Sequence, residues 1–379
     1  MHEAERIMAD KYFGDHHTGN NYSGNNHPGD KQTGNKHVDS LDGLRGLAAF
    51  AVVISHMGSL VQAFGHYDPF ELKKLGGEGV ALFFALSGFL MAWLYGGKPF
   101  SRAAAADYLV SRFARIYPVY LVAIGVSVAL SSLFGAFYIE HLTRPVDIVR
   151  HIFLMGSTGV FWSIPPEIQF YLFFLLLWRY FSAPQRYQWL GIGIATLLAL
   201  AALLNFPGPG IGLISKLPYF LFGALAGRWH ALHPVAKPSI FAALCGLGLL
   251  ALFMPSRILG LVTLHNFWGL STALVAALIV YFIAWEHPLT KFIFASRPLR
   301  FLGKISFSLY LFHVPVMFLM NRVFGAVLPP PLLIALVITA VIACSFTTYT
   351  LIEAPARKLL VSAWKNREKS APVNAAEAA

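Results

Sequence analysis

From Leu44 onward the chain runs through apolar stretches, each about as long as a ~30 Å hydrocarbon core requires, parted by short polar breaks. They fall near 44–64, 78–96, 116–136, 166–181, 188–205, 211–228, 239–254, 264–285, 305–322 and 331–352. The pattern predicts an all-α polytopic membrane bundle of about ten transmembrane helices. Ahead of it lies a polar tract in which Gly14, Gly19, Gly24, Gly29 and Gly34 recur every five residues among His, Asn, Asp, Thr and Ser. Nothing in that tract can form a core. Residues 1–40 are therefore expected to be a disordered tail, 41–356 the membrane domain, and 357–379 a basic tail. No cleavable signal is apparent, so the first apolar run is expected to be both targeting signal and first span. The longest outer connection, roughly 137–165, turns apolar between Ile152 and Trp162, and a re-entrant or interfacial segment is expected there.

Composition agrees with lipid as the solvent. Of 379 residues 56% are hydrophobic and 12% charged, against about 25% charged in a soluble domain. A net charge of +11 raises nucleic acid as a partner, but the cations are spread between apolar runs and form no basic face, so none is expected. They sort by side instead. With the N-terminus inside, the inner loops and C-terminal tail carry seventeen Lys and Arg, from Lys98 to Lys369, and the outer loops carry seven: Lys73, Lys74, Arg144, Arg150, Lys216, Arg257 and Arg322. The positive-inside rule then puts both termini in the cytoplasm of a plasma (inner) membrane protein. Cys245 and Cys344 lie in apolar segments, so neither a disulfide framework nor a metal site is expected.

Ionisable residues inside spans are expensive and point to function. Arg45 and His56 are eleven residues apart, three helical turns plus about 20° and about 16 Å of rise, so they share a face at different depths. Histidine suits the removal of a proton from an alcohol near neutral pH. The competing readings are a hydrogen bond between helices for His56 and a head-group anchor for Arg45. Glu167 follows Trp162, Ser163, Pro165 and Pro166 at a helix start, where the helix dipole alone favours a carboxylate. Ser306, Tyr310 and His313 form a polar stripe at i, i+4 and i+7, which brings His313 close to the depth of His56. It is a second candidate base, or a member of a packing stripe. Arg112 and Arg115 are i, i+3 neighbours at the expected inner boundary, placed to present two guanidinium forks to one polyphosphate or to anchor the helix there. Glu353 and Asp42 are the carboxylates expected to pair with such arginines. No P-loop, dinucleotide fingerprint or zinc motif is present, and Gly76, Gly77 and Gly79 are read as easing entry into the second span.

Six blocks together resemble the acyltransferase-3 family: Leu41-Asp-Gly-Leu-Arg-Gly-Leu-Ala-Ala49 with His56, Phe83-Phe-Ala-Leu-Ser-Gly-Phe-Leu90, Arg112/Arg115 before Tyr117-Pro118, Trp162-Ser163 with Glu167, Ser306 to His313, and Ile352 to Arg357. The resemblance implies a multipass O-acyltransferase, an O-acetyltransferase by commonest donor, that takes acetyl-CoA or another acyl-CoA as substrate and holds no cofactor. Its acceptor would be a hydroxyl of a polysaccharide, lipid-linked sugar or similar molecule, with exopolysaccharide the first expectation. It puts His56 and Glu167 in catalysis and Arg45, Arg112 and Arg115 on the donor, with Trp162, Ser163, Tyr310 and His313 as acceptor or supporting positions. Some relatives carry a fused hydrolase-like domain after the last helix; about 25 residues remain here, so action without one is expected. The glycine-repeat tail and the Pro165-Pro166 pair depart from the family pattern. A glycolipid or sugar transporter is the alternative, but such proteins usually show internal repeats, and none stands out between the two halves.

Overall fold

The computed structural model describes residues 38–60, 71–203, 210–263 and 267–370, and no strand occurs among them. The glycine-repeat tract, with its histidines, and the last nine residues of the basic tail lie outside that range. The described chain is helical: α1 Asp39–Leu60, α2 Gly76–Tyr95, α3 Arg102–Phe134, α4 Pro145–Ile152 and α5 Ile164–Ser182. There follow α6 Gln188–Leu203, α7 Leu217–Leu232, α8 Ile240–Phe253, α9 Leu270–Ile283 and α10 Pro288–Phe294. The last four are α11 Arg297–Lys304, α12 Ser306–Phe324, α13 Pro330–Thr348 and α14 Ala354–Ser370.

Each predicted apolar segment coincides with a helix, but they differ in length and apolarity, and α1, with 22 residues and the first predicted span, does not meet both requirements over its described residues. Five stretches are long and apolar enough to cross a membrane: Leu72–Tyr95, Arg102–Phe137, Gly159–Ser182, Ser306–Phe324 and Pro330–Arg367. A sixth results if α9 and α10, bent by 105° at the break between them, count as one span. Helices α6 to α9 have only 14–16 residues each, short of the ~20 that span 30 Å.

The helix that carries the third predicted span starts about four turns before it. Ser101 caps α3, its Oγ accepting from the Ala104 amide at 3.1 Å, and the helix runs 33 residues, about 50 Å. Arg112 and Arg115 therefore sit well inside a helix and not at its edge. Small residues bring other helices together. A Cβ on Gly79 would lie 2.5 Å from the Ala48 carbonyl oxygen, and one on Gly46 2.2 Å from that of Leu299. So α1 packs backbone to backbone against α2 on one side and α11 on the other.

The connection between α3 and α5 folds back into the bundle. Its five-residue 3-10 turn, Gly159–Ser163, has Val160, Phe161 and Ser163 buried, and the Val160 carbonyl accepts from Tyr310 Oη on α12 at 2.8 Å. Two buried groups hold the turn. Glu140 accepts from the Val160 amide at 2.9 Å and from Tyr138 Oη at 3.0 Å. His151 Nε2 accepts from the Thr158 amide at 3.2 Å while its Nδ1 donates to the Asp147 carbonyl at 2.7 Å, so the ring is neutral, as its burial favours.

Burial also holds the Glu140 carboxyl up to about 7. Raised above an ordinary 4.5, it binds more protons folded than unfolded between those values, so stability falls as pH rises through that window. A loss of about 3 kcal/mol is expected. The melting temperature of purified protein should drop from pH 5 to pH 7, and Glu140→Gln should flatten that slope; an unchanged slope in the variant assigns the drop to another group.

Candidate active site

Helices α1, α2, α3, α5 and α12 converge on one internal cavity of about 90 Å³, room for a few waters or a short acyl group. Three guanidinium-bearing side chains line it, Arg45 from α1 and Arg112 and Arg115 from α3, with Ser87, Glu167, Tyr171, Ser306 and Tyr310 among the polar remainder. Glu167 is the one carboxylate in that lining, and its Oε1 already accepts from Ser87 Oγ and from Tyr171 Oη, each at 2.5 Å. The wall thus carries three cations against one occupied anion.

The arginines are differently held. Arg45 reaches Asp42 at 3.4 Å, the pairing expected from their spacing. Arg112 is 8% exposed, its Nε has no hydrogen-bond partner among the described residues, and its Nη2 reaches only Tyr95 Oη at 3.4 Å. Leaving a buried cation without a carboxylate is costly, which marks the place as suited to an anion. Glu353 does not supply that carboxylate: its Oε2 accepts from Ser308 Oγ at 2.6 Å, because a π-helical turn at Tyr349–Glu353 points it at α12.

His56 lies outside this wall, about 16 Å along α1 from Arg45. Its Nδ1 is 2.9 Å from the Val52 carbonyl, which can only accept, so Nδ1 carries a hydrogen and, in the neutral form, the lone pair is on Nε2. The ring is partly exposed. Its centroid is 4.9 Å from that of His313, which in turn is 6.0 Å from that of Tyr310 in the cavity wall. Stepwise contact across α12 therefore links cavity and imidazole, and the polar stripe predicted on α12 is that link. His313 is fully buried, its Nδ1 donates to the Tyr310 carbonyl at 2.8 Å, and its Nε2 is unpartnered among the described residues. Ser163 Oγ donates to Tyr310 Oη at 2.8 Å, fixing the Gly159–Ser163 turn to the same stripe. Glu167 makes no hydrogen bond to His56; its partners are Ser87 and Tyr171.

Two participants carried no decisive sequence signal. Ser87 is one apolar-span serine among several until Glu167, eighty residues on, folds against it. Lys216 is fully buried, its Nζ 4.3 Å from the centroid of Trp268 and 5.9 Å from that of Trp162. Trp162 and Trp268 also meet edge to face at 5.7 Å. Spacing along the chain gives no hint of that cluster.

The helical bundle thus holds an arginine-walled cavity, with an imidazole that the rings of Tyr310 and His313 separate from it. A family model for the acyltransferase domain matches residues 38–350, and the chain belongs to this acyltransferase-3 family. Peptidoglycan O-acetyltransferase OatA of Listeria monocytogenes is 26% identical over 360 residues, 85% of this chain and 56% of that protein. O-acetyltransferase OatA of Staphylococcus aureus is 25% identical over 362 residues, 85% of this chain and 58% of that one. Protein 2 in picA locus of Rhizobium radiobacter is 38% identical over 118 residues, 31% of this chain and 56% of that protein. The chain thus spans little more than half the length of the curated relatives it matches. No solved structure matches it.

Proposed function

We propose that this chain is an O-acyltransferase that moves an acyl group, acetyl by the names of its relatives, from acyl-CoA to a hydroxyl of a glycan or lipid-linked sugar. The carrying observation is the cavity walled by Arg45, Arg112 and Arg115 with Glu167 already satisfied. Its surplus of positive charge suits the negative charge that develops on the oxygen and sulfur of a thioester under attack. In this reading all ten apolar segments cross the inner membrane, the shorter ones where the bilayer thins around them, with both termini cytoplasmic. The arginine end of α1 then faces the donor and the His56 end faces the acceptor.

The chemistry follows from Nε2 of His56, which holds the lone pair when the ring is neutral. It takes the proton of the acceptor hydroxyl as the oxygen attacks the thioester carbonyl; the new C–O bond forms, the C–S bond breaks, and the proton passes to the departing thiolate. The same lone pair also suits direct attack on the thioester, the acyl group then resting on His56 before the alcohol removes it. Glu167, with Ser87 and Tyr171, fixes the cavity wall. The packed rings of Tyr310 and His313, with Ser163 bonded to Tyr310 Oη, stand between cavity and imidazole, while Trp162 packs elsewhere, against Phe84 and Trp268.

Purified chain in nanodiscs, given acetyl-CoA and a soluble glycan, should release free thiol and add one acetyl mass to the glycan. Arg112→Ala with Arg115→Ala should raise the KM for acetyl-CoA by about a hundredfold, two charge-assisted contacts being lost. The relatives' printed names make peptidoglycan fragments the first acceptor to offer. Passage of a glycolipid across sealed vesicles without thiol release would instead identify a transporter.

A further inference from the structure

The arginine cavity, at about 90 Å³, is too small for a whole acyl-CoA, so the donor's bulk needs a second place. A groove of about 570 Å³ runs beside it between α3, α5 and α14. Arg112 and Tyr171 line both the groove and the cavity, so the groove opens on the buried guanidinium that lacks a carboxylate. Its walls are Leu109, Phe113, Leu172 and Leu360, and Arg367 lines its far end.

The wall formed by α14 is fixed, because Trp364 Nε1 donates to Asp107 Oδ1 at 2.8 Å, near the start of α3. From that pin to Arg112 the groove follows α3 for five residues, about 8 Å. Helix α14 is predominantly cationic. It carries Arg357, Lys358, Lys365, Arg367 and Lys369 against Glu368, and the first three line a neighbouring depression of about 480 Å³ with Ser111 and Glu353. Helix α14 also lies beyond residue 350, where the family match ends.

We infer that this groove seats the donor's pantetheine arm, with its nucleotide phosphates at the cations of α14 and its thioester directed past Arg112 into the cavity. The inference rests on the acyl-CoA reading above. The methylenes and gem-dimethyl of the arm match the apolar walls, and the phosphates find cations at the mouth, while at the base Arg112, without a carboxylate partner among the described residues, faces the thioester. A membrane phospholipid offers a similar outline, one phosphate and an apolar chain, and the experiment separates the two.

Ala363 is an exposed lining residue, and Ala363→Trp fills the groove without touching the cavity. In nanodiscs, CoA binding followed by calorimetry should weaken about tenfold or more in that variant. The ratio of turnover on acetyl-CoA to turnover on S-acetylcysteamine, which lacks the nucleotide and most of the arm, should fall by a similar factor. Arg367→Glu, an exposed change that keeps the protein foldable if the tryptophan does not, should weaken CoA binding severalfold and more strongly at low salt. Wild-type CoA affinity in a folded variant overturns the groove, and does so as a lipid seat if native mass spectrometry shows Ala363→Trp losing a bound phospholipid. Failure of the unaltered protein to bind CoA or release thiol defeats the donor reading itself, a result distinct from a variant that binds normally.

Discussion

Replacing His56 by alanine is expected to slow acyl transfer by about 10²–10⁴-fold, the usual contribution of a positioned general base, while CoA binding stays near wild type. The separation follows from geometry. His56 stands about three turns of α1 from Arg45, outside the cavity wall, and reaches it only through the rings of His313 and Tyr310. Removing the imidazole therefore leaves the anion-binding arginines in place. His56→Asn sharpens the test, because an amide retains hydrogen bonding but cannot accept a proton at neutral pH. If asparagine restores turnover, the histidine only packs; if donor affinity falls together with turnover, the donor lies over the imidazole and the two-ended arrangement is wrong. His313→Ala should be milder, since its Nδ1 is tied to the Tyr310 carbonyl and its side chain is fully buried.

Much of this was legible because lipid imposes simple rules. Each apolar segment became a helix, and the eleven-residue spacing of Arg45 and His56 put them on one face whatever surrounds α1. The i, i+4, i+7 stripe on α12 likewise put His313 at about the depth of His56, and the packed bundle brings the two rings together. Hydropathy failed where a helix passes its own apolar limit. Residues 102–115, rich in alanine and carrying Asp107, Arg112 and Arg115, look like a loop to a membrane scale yet are good helix formers behind a serine cap, so α3 starts early and carries its arginines inward. Pairings across long separations were also hidden. The Ser87 bond to Glu167, the Ser308 bond to Glu353 and the Glu140 hold on Val160 join residues 20 to 80 apart, and only the packed bundle shows which serine meets which carboxylate.

Gly88→Val should prevent a folded, active protein from accumulating. A Cβ at Gly88 would sit 2.0 Å from the Phe220 carbonyl oxygen, and across the same seam Cβ atoms at Gly223 and Gly227 would each sit 2.2 Å from the carbonyls of Ala85 and Phe89. Helices α2 and α7 therefore touch through backbone on both sides, a small-residue seam of the kind that lets membrane helices approach closely. Backbone cannot swing aside as a side chain does, so the helices must separate, at a cost of about 3 kcal/mol or more. That separation also reaches the site, because Ser87 adjoins Gly88 and is one of the two residues that satisfy Glu167. Detergent extracts should show loss of the monodisperse peak and of thermal stability even for Gly88→Ala, whose single methyl meets the same oxygen. Gly125→Ala is the control: nothing lies within 4 Å of its Cβ on the exposed face of α3, and it should be neutral or stabilising by up to about 1 kcal/mol. Equal tolerance at Gly88 and Gly125 would mean that α2 and α7 are not packed as described, and the position of Ser87 against Glu167 would lose its support.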